Sequence, residues 1–465
     1  MKALSVLLLF LSVSASADPK EYYFQRARAR QQRMTWEEQE QQARTEEGSF
    51  DQRINALDPK DTRTFAQRYY VNTQFAAGKD SPTLFYLCGE ATCTADSFRG
   101  AISTYAQELK ANMIALEHRY YGKSQPFAEL TTENMKFLST DYALLDASKF
   151  QEHAMTALGF SGKWIVVGGS YAGSLAAYYR QQFPHLVVGA LASSGPVLAH
   201  ANFEEYDRHV ATVAGPECLA SIKKVVAQLD ATLEKPEELK SLKVKFTAEK
   251  LVQDLDFVYL VADMGALAIQ YGYRDHFCEL LKASDPMEGY AQFTQEIYKS
   301  WGIDALSGSA QGAVSLDPKD YEGDFGTRQW FYQSCTEYGY WQNAYHDEAL
   351  SARSKRINPG YHTELCHRLY GIETPVNTTH INQKFYLPLL LEATTGIFFP
   401  NGSRDPWMNL SIAKENGNDF NPNTTLITID GASHCDDLRR PKDTDSAAIK
   451  SARSTFLGLA KGWLN

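Results

Sequence analysis

A chain of 465 residues with 44% hydrophobic, 12% aromatic and 22% charged content holds enough apolar material for a large packed core, which excludes disordered, collagen-like and coiled-coil classes. Its 46 basic and 56 acidic residues give a formal charge of −10, so there is no electrostatic footprint for a phosphate backbone and no nucleic acid partner is expected. Length alone leaves several small domains and one large interrupted domain equally open.

The chain starts with a secretory signature. Met1-Lys2 precedes an apolar run from Ala3 to Val13, and Ala15-Ser16-Ala17 supplies a small-residue cleavage site, so residues 1–17 read as a signal peptide. That run is too short to span a bilayer and no later stretch has 18 apolar residues, so no membrane partner is expected. Export changes the reading of the seven cysteines: in an oxidising compartment disulfides form, and one thiol is left over. No pair has the spacing of a zinc site, and neither a metal nor a cofactor is expected. Sequons begin at Asn377, Asn401, Asn409 and Asn423, which matter only in a eukaryotic secretory pathway.

Residues 18–59 read as an N-terminal arm or propeptide, its first part rich in Arg, Gln and Glu and without an apolar stripe. Short β-type runs follow at Phe65 to Asn72, Thr83 to Leu87, Met113 to Leu116 and Trp164 to Val167. Helix-length segments lie between them at Ser97 to Lys110 and Ser139 to Leu158. Strands alternating with helices predict an α/β fold with a largely parallel sheet. The alternation breaks near Pro196, and Leu219, Ile222, Val225, Val226, Leu229 and Leu233 then recur at helical spacing, with Pro236 as an interruption. Strand-like runs return at Gly396 to Pro400 and Thr424 to Ile429, before a last helix from Ser446 to Leu464. The economical arrangement is a core in two parts, residues 60–200 and 376–465, with a mainly helical cap inserted at 201–375.

Chemistry enters at the strand from Trp164. It ends in Gly168-Gly169-Ser170-Tyr171-Ala172 and runs into a helix expected from Ser174. A nucleophile elbow needs small residues two before and two after the serine, so that strand and helix pack closely while Oγ projects; Gly168 and Ala172 fill those places, with alanine where the strict pattern has glycine. A serine hydroxyl also needs a base, and the base a carboxylate to orient it. An α/β-hydrolase places them in the chain order Ser, Asp, His after late strands, and Asp405 and His434 stand just beyond the last two β runs. Ser170, Asp405 and His434 are therefore the expected triad. Tyr171 is expected to supply one oxyanion N–H, and Gly89 in the Leu87 to Ala91 loop the second, with the Tyr120-Tyr121-Gly122 loop as the alternative donor.

Several runs carry a family resemblance: Glu117-His118-Arg119-Tyr120-Tyr121-Gly122, Gln333-Ser334-Cys335-Thr336-Glu337-Tyr338-Gly339, Asp405-Pro406-Trp407 and Gly431-Ala432-Ser433-His434. With them the chain resembles, from about Phe65 to Trp463, the serine peptidases that include lysosomal Pro-Xaa carboxypeptidase, dipeptidyl peptidase II and thymus-specific serine protease. The Cys-Thr-Glu-Tyr-Gly run looks most like the thymus-specific branch. The resemblance implies an α/β-hydrolase fold under a helical cap and exopeptidase action on peptides, commonly after proline. Removal of dipeptides from the amino end and of single residues from the carboxyl end both remain open. It implies a secreted or lysosome-type location, admits a homodimer, and with the low pI suggests activity in acid, which would require His434 to titrate below 6.5.

Within that frame Trp407 is a candidate pocket wall for a proline ring, with core packing as its plainer role. Glu90 and Glu337 are candidates for gripping a substrate ammonium, and each is also a plausible structural carboxylate. His118 and Arg119 read first as structural residues at a strand end, with a buried Glu117–Arg119 ion pair bracing the oxyanion region as the alternative. Cys335 with Cys366 looks like a family disulfide, and Cys218 with Cys278 a staple between cap helices. Cys88 with Cys93 would close a small loop and leave Cys435 unpaired, the pairing among these three staying open. Two other readings compete: an esterase or lipase of the same fold, which would turn over acyl esters but not peptides, and a catalytically silent binding protein, whose serine a fluorophosphonate would not label.

Overall fold

Strand-forming residues recur through the first third of the chain and again near its end, and the sheet is built from both. The computed structural model describes residues 44–322 and 325–465, and the expected signal peptide and the arm up to residue 43 lie outside the described residues. The strands are β1 (Glu46–Arg53), β2 (Thr64–Asn72), β3 (Thr83–Leu87), β4 (Asn112–Leu116), β5 (Trp164–Gly169) and β6 (Gly189–Ser193). After the short β7 (His200–Asn202) and β8 (Gly339–Trp341), which pair only with each other, come β9 (Ile397–Gly402) and β10 (Thr424–Ile429). The eight-stranded sheet has the order β1-β2-β4-β3-β5-β6-β9-β10. β2 is antiparallel to both its neighbours, and every pairing from β4 to β10 is parallel.

Alternate residues of a strand face opposite sides, and both sides of this sheet are covered. Phe85, Ile114 and Val166 point into one core with α2 (Thr140–Thr156) and α3 (Tyr171–Gln182). Leu84, Met113 and Ile165 point into the other, against α1 (Ala101–Leu109) and the C-terminal helix Ala447–Leu464. This is an α/β-hydrolase fold: a largely parallel sheet, helices on both faces, and a strand–turn–helix elbow on a central strand.

Two elements correct the sequence reading. β1 lies in the stretch assigned to the arm, yet pairs along its whole length with β2, so the core begins before residue 60. β6, Gly-Ala-Leu-Ala-Ser, carries no β-branched residue and was not expected as a strand; burial between β5 and β9 makes it one.

Between β6 and β9 the chain is mainly helical: α4 (Glu205–Ala214), α5 (Pro216–Thr232), α6 (Pro236–Lys245), α7 (Asp254–Gln270), α8 (Arg274–Leu280), α9 (Pro286–Trp301), α10 (Thr327–Gln333) and α11 (Pro359–Tyr370). The helix Ala447–Leu464 is then α12. The periodic helix α5 ends at Thr232 and Pro236 opens α6, because the first turn has no use for the missing N–H. Cys218–Cys278 joins α5 to α8, Cys335–Cys366 joins the turn after α10 to α11, and Cys88–Cys93 closes the loop after β3. Cys435 is the free thiol. Arg44–Asn465 forms one compact unit. No helix among the described residues is long and apolar enough to cross a membrane.

Candidate active site

β5 delivers Ser170 at a sharp turn. Its φ is +58° and ψ −131°, a conformation that strains any residue with a Cβ and persists only where its surroundings enforce it. They do so here. Gly168 has no room for a side chain, since a Cβ there would stand 2.0 Å from the Ala172 carbonyl oxygen. The Ser170 N–H donates to the Ser193 carbonyl at the end of β6 (2.9 Å), and its own carbonyl accepts from Ser174 N (3.1 Å). α3 opens at Tyr171, three residues before the expected start, so the positive end of the helix dipole lies at the serine.

Asp405 follows β9 and caps the short turn Pro406–Leu410, with Oδ1 accepting from Trp407 N at 3.0 Å. Oδ2 lies 2.7 Å from His434 Nδ1, and both side chains are buried. Burial alone would depress the imidazolium. The Asp405 carboxylate and the Cys435 sulfur outweigh it and hold His434 well above its usual 6.5. Activity in acid requires a shift in the other direction, so the electrostatics of the site oppose that expectation.

The loop bearing His434 is fastened to the end of β6. Cys435 N donates to Ser194 Oγ (3.0 Å) and Ser193 Oγ to Asp437 Oδ1 (2.6 Å). Arg453, from α12, donates to the carbonyls of Asp437, Asp436 and Arg439. The Cys435 sulfur lies against Gly169, so the loop after the histidine packs on the elbow itself. Ser193 thus anchors both the Ser170 backbone, through its carbonyl, and the loop that follows His434, through its hydroxyl.

On the oxyanion side, Gly89 adopts φ +67° and packs against the start of α3, where a Cβ would be 3.0 Å from that of Ala172. Glu117 binds both candidate loops. Its carboxylate accepts from Cys93 N (3.0 Å), Lys123 N (3.0 Å) and Ser124 Oγ (2.7 Å) and pairs with Arg68. The alternative of a Glu117–Arg119 pair is therefore not realised: Arg119 turns to Asp146 on α2, with Nε and Nη2 at 2.7 and 2.6 Å from its two oxygens.

The expected substrate contacts separate. Glu90 is half-buried, which raises its carboxyl pKa, and the charge of His434 pulls it partly back. Glu337 is held elsewhere. Its carboxylate accepts from Thr140 N (3.2 and 3.0 Å) and Oγ1 (3.1 Å) at the N-terminus of α2, where burial pushes it up to about 8. A helix N-terminus satisfies a buried carboxylate well and leaves nothing to offer an ammonium. Trp407 is buried against Phe203, Tyr206 and Tyr340, with ring centroids 5.5, 5.5 and 5.3 Å away, and its backbone N–H braces Asp405. Sequence reasoning missed Arg453 and Gln270, whose carbonyl accepts from His434 N at 2.9 Å; neither lies in a motif. Among the described residues no cluster of three or more His, Cys, Asp or Glu side chains could hold a metal ion.

Residues 52–456 match the family described as serine carboxypeptidase S28. The chain is 34% identical over 411 residues to the Arabidopsis thaliana probable serine protease EDA2, covering 85% of this chain and 81% of that one. It is 30% identical to the thymus-specific serine protease of Mus musculus, covering 90% and 87%. The lysosomal Pro-X carboxypeptidase of Bos taurus is 26% identical, with coverage of 87% and 85%.

Proposed function

The chain belongs to the serine carboxypeptidase S28 family, and from that premise we propose that Ser170, His434 and Asp405 form its catalytic triad and that it is a serine exopeptidase preferring proline before the scissile bond. The observation that carries this reading is the buried contact of His434 Nδ1 with Asp405 Oδ2, at 2.7 Å, on a loop fastened beside the strained serine. A carboxylate accepts only, so it holds the proton on Nδ1 and leaves Nε2 as the base. His434 takes the Ser170 proton, and Oγ attacks the scissile carbonyl. The developing oxyanion is received by the N–H of Tyr171 and by a second donor from the Gly89 loop. His434 returns the proton to the leaving amine, and water then releases the acyl group by the same steps.

The preference for proline draws on the relative named a Pro-X carboxypeptidase and on Trp407 standing beside the acid. Three disulfides and the lysosomal relatives support passage through the secretory pathway to the exterior or to a lysosome-like compartment. Ser170→Ala should abolish peptide hydrolysis and fluorophosphonate labelling with an unchanged circular dichroism spectrum; turnover by the variant would overturn the assignment. Product masses from a peptide with internal prolines distinguish carboxypeptidase from dipeptidyl peptidase action.

A further inference from the structure

Gln270 is the last residue of α7, so the helical stretch between β6 and β9 reaches the triad through it. Its carbonyl accepts from the His434 N–H at 2.9 Å. Its side-chain Oε1 accepts from Trp407 Nε1 (3.0 Å) and Tyr206 OH (2.5 Å). Trp407 in turn donates its backbone N–H to Asp405 Oδ1, so one glutamine touches the base directly and the acid through Trp407.

Indole N–H can only donate, which settles the orientation of the amide: the oxygen faces Trp407 and the nitrogen faces away. Among the described residues nothing accepts from Gln270 Nε2. The side chain is 8% exposed, and Nε2 is not among the polar atoms wholly sealed from solvent without a partner. The result is a rigidly aimed donor, held at the catalytic cluster, that the hydrolysis steps do not use. A nearly buried donor lacking an acceptor is costly, and a peptide brings carbonyl acceptors.

We propose that Gln270 binds substrate, donating from Nε2 to a carbonyl of the bound peptide other than the scissile one, so that the helical insertion supplies a specificity contact. This rests on the serine peptidase reading above. Sites built to hydrogen-bond a substrate group discriminate against analogues that lack it.

The test compares wild type with Gln270→Glu and Gln270→Leu on two probes: a proline-containing peptide, and a small fluorophosphonate with no amide carbonyl. Glutamate still accepts from Trp407 and Tyr206 but cannot donate when ionised; leucine does neither. For both variants kcat/KM on the peptide should fall about tenfold further than the rate constant for Ser170 labelling, mainly through KM. Peptide turnover restored by Gln270→Glu, or equal losses on the two probes, would show that the side chain only holds Trp407 and Tyr206, and would overturn the proposal. Gln270→Glu keeps the acceptor geometry, so the answer does not depend on the leucine variant folding. Wild-type protein that neither labels nor cleaves overturns the peptidase reading and this inference with it; a failure confined to the variants overturns the inference alone.

Discussion

Replacing Asp405 by asparagine tests the triad through a proton rather than through a missing atom. Asp405 is fully buried and splits its two oxygens between Trp407 N (3.0 Å) and His434 Nδ1 (2.7 Å). The backbone N–H of Trp407 can only donate, so the new amide must turn its oxygen there and its NH2 toward His434. Nδ1 then has to accept, and the ring proton moves to Nε2, the nitrogen that must take the Ser170 proton. The geometry survives and the tautomer is wrong. In the general serine-protease case this costs about 10⁴ in kcat, or roughly 5.5 kcal/mol of barrier. KM should change little, because Asp405 is sealed from the substrate. Steady-state kinetics on a peptide, with fluorophosphonate labelling in parallel and circular dichroism to verify folding, measure the effect. An Asp405→Asn protein retaining more than about a tenth of wild-type kcat would refute the assignment of Asp405 as the orienting acid.

Other outcomes follow from the same geometry. His434 must be neutral to act as base and its pKa is held above 6.5, so kcat/KM should fall as pH drops through a value above 6.5; Cys435→Ala, by removing one raising influence, should move that limb to lower pH. A pH–rate profile flat down to pH 5 would contradict the shift. Gly89→Ala forces a Cβ to within 3.0 Å of the Ala172 Cβ at φ +67°, and should cost about 10–100-fold in kcat if this loop supplies the second oxyanion donor. An unchanged kcat points instead to the Tyr120–Gly122 loop. Removing the Cys335–Cys366 bridge, which spans 31 residues, should lower unfolding free energy by about 3–4 kcal/mol in urea titrations.

Much of the core was legible because its signals are local. β2, β3, β5 and β10 stand where β-branched and aromatic residues cluster, and the boundaries of β3 and β10 agree with the expected runs. The elbow was legible because a strand, a run of small residues and a helix are contiguous in the chain. β6 was not, since alanine and glycine carry little strand preference and only burial between two neighbours makes that segment extended. β1 was hidden because its burial alternates with exposed residues in a polar stretch, and its pairing with β2 supplies the order that its composition does not.

The amino-acid sequence by itself determined the fold class and the family and singled out the proposed nucleophile, base and acid, because chain order and contiguous motifs are properties of one dimension. Which charges pair was decided only in three dimensions. Glu117 took Arg68 instead of Arg119, and Glu337 went to the N-terminus of α2 instead of a substrate. Gln270 reached Trp407, 137 positions along the chain. A buried ionic or polar group must find its partner wherever packing brings one within hydrogen-bond reach, and separation along the chain places no limit on that choice.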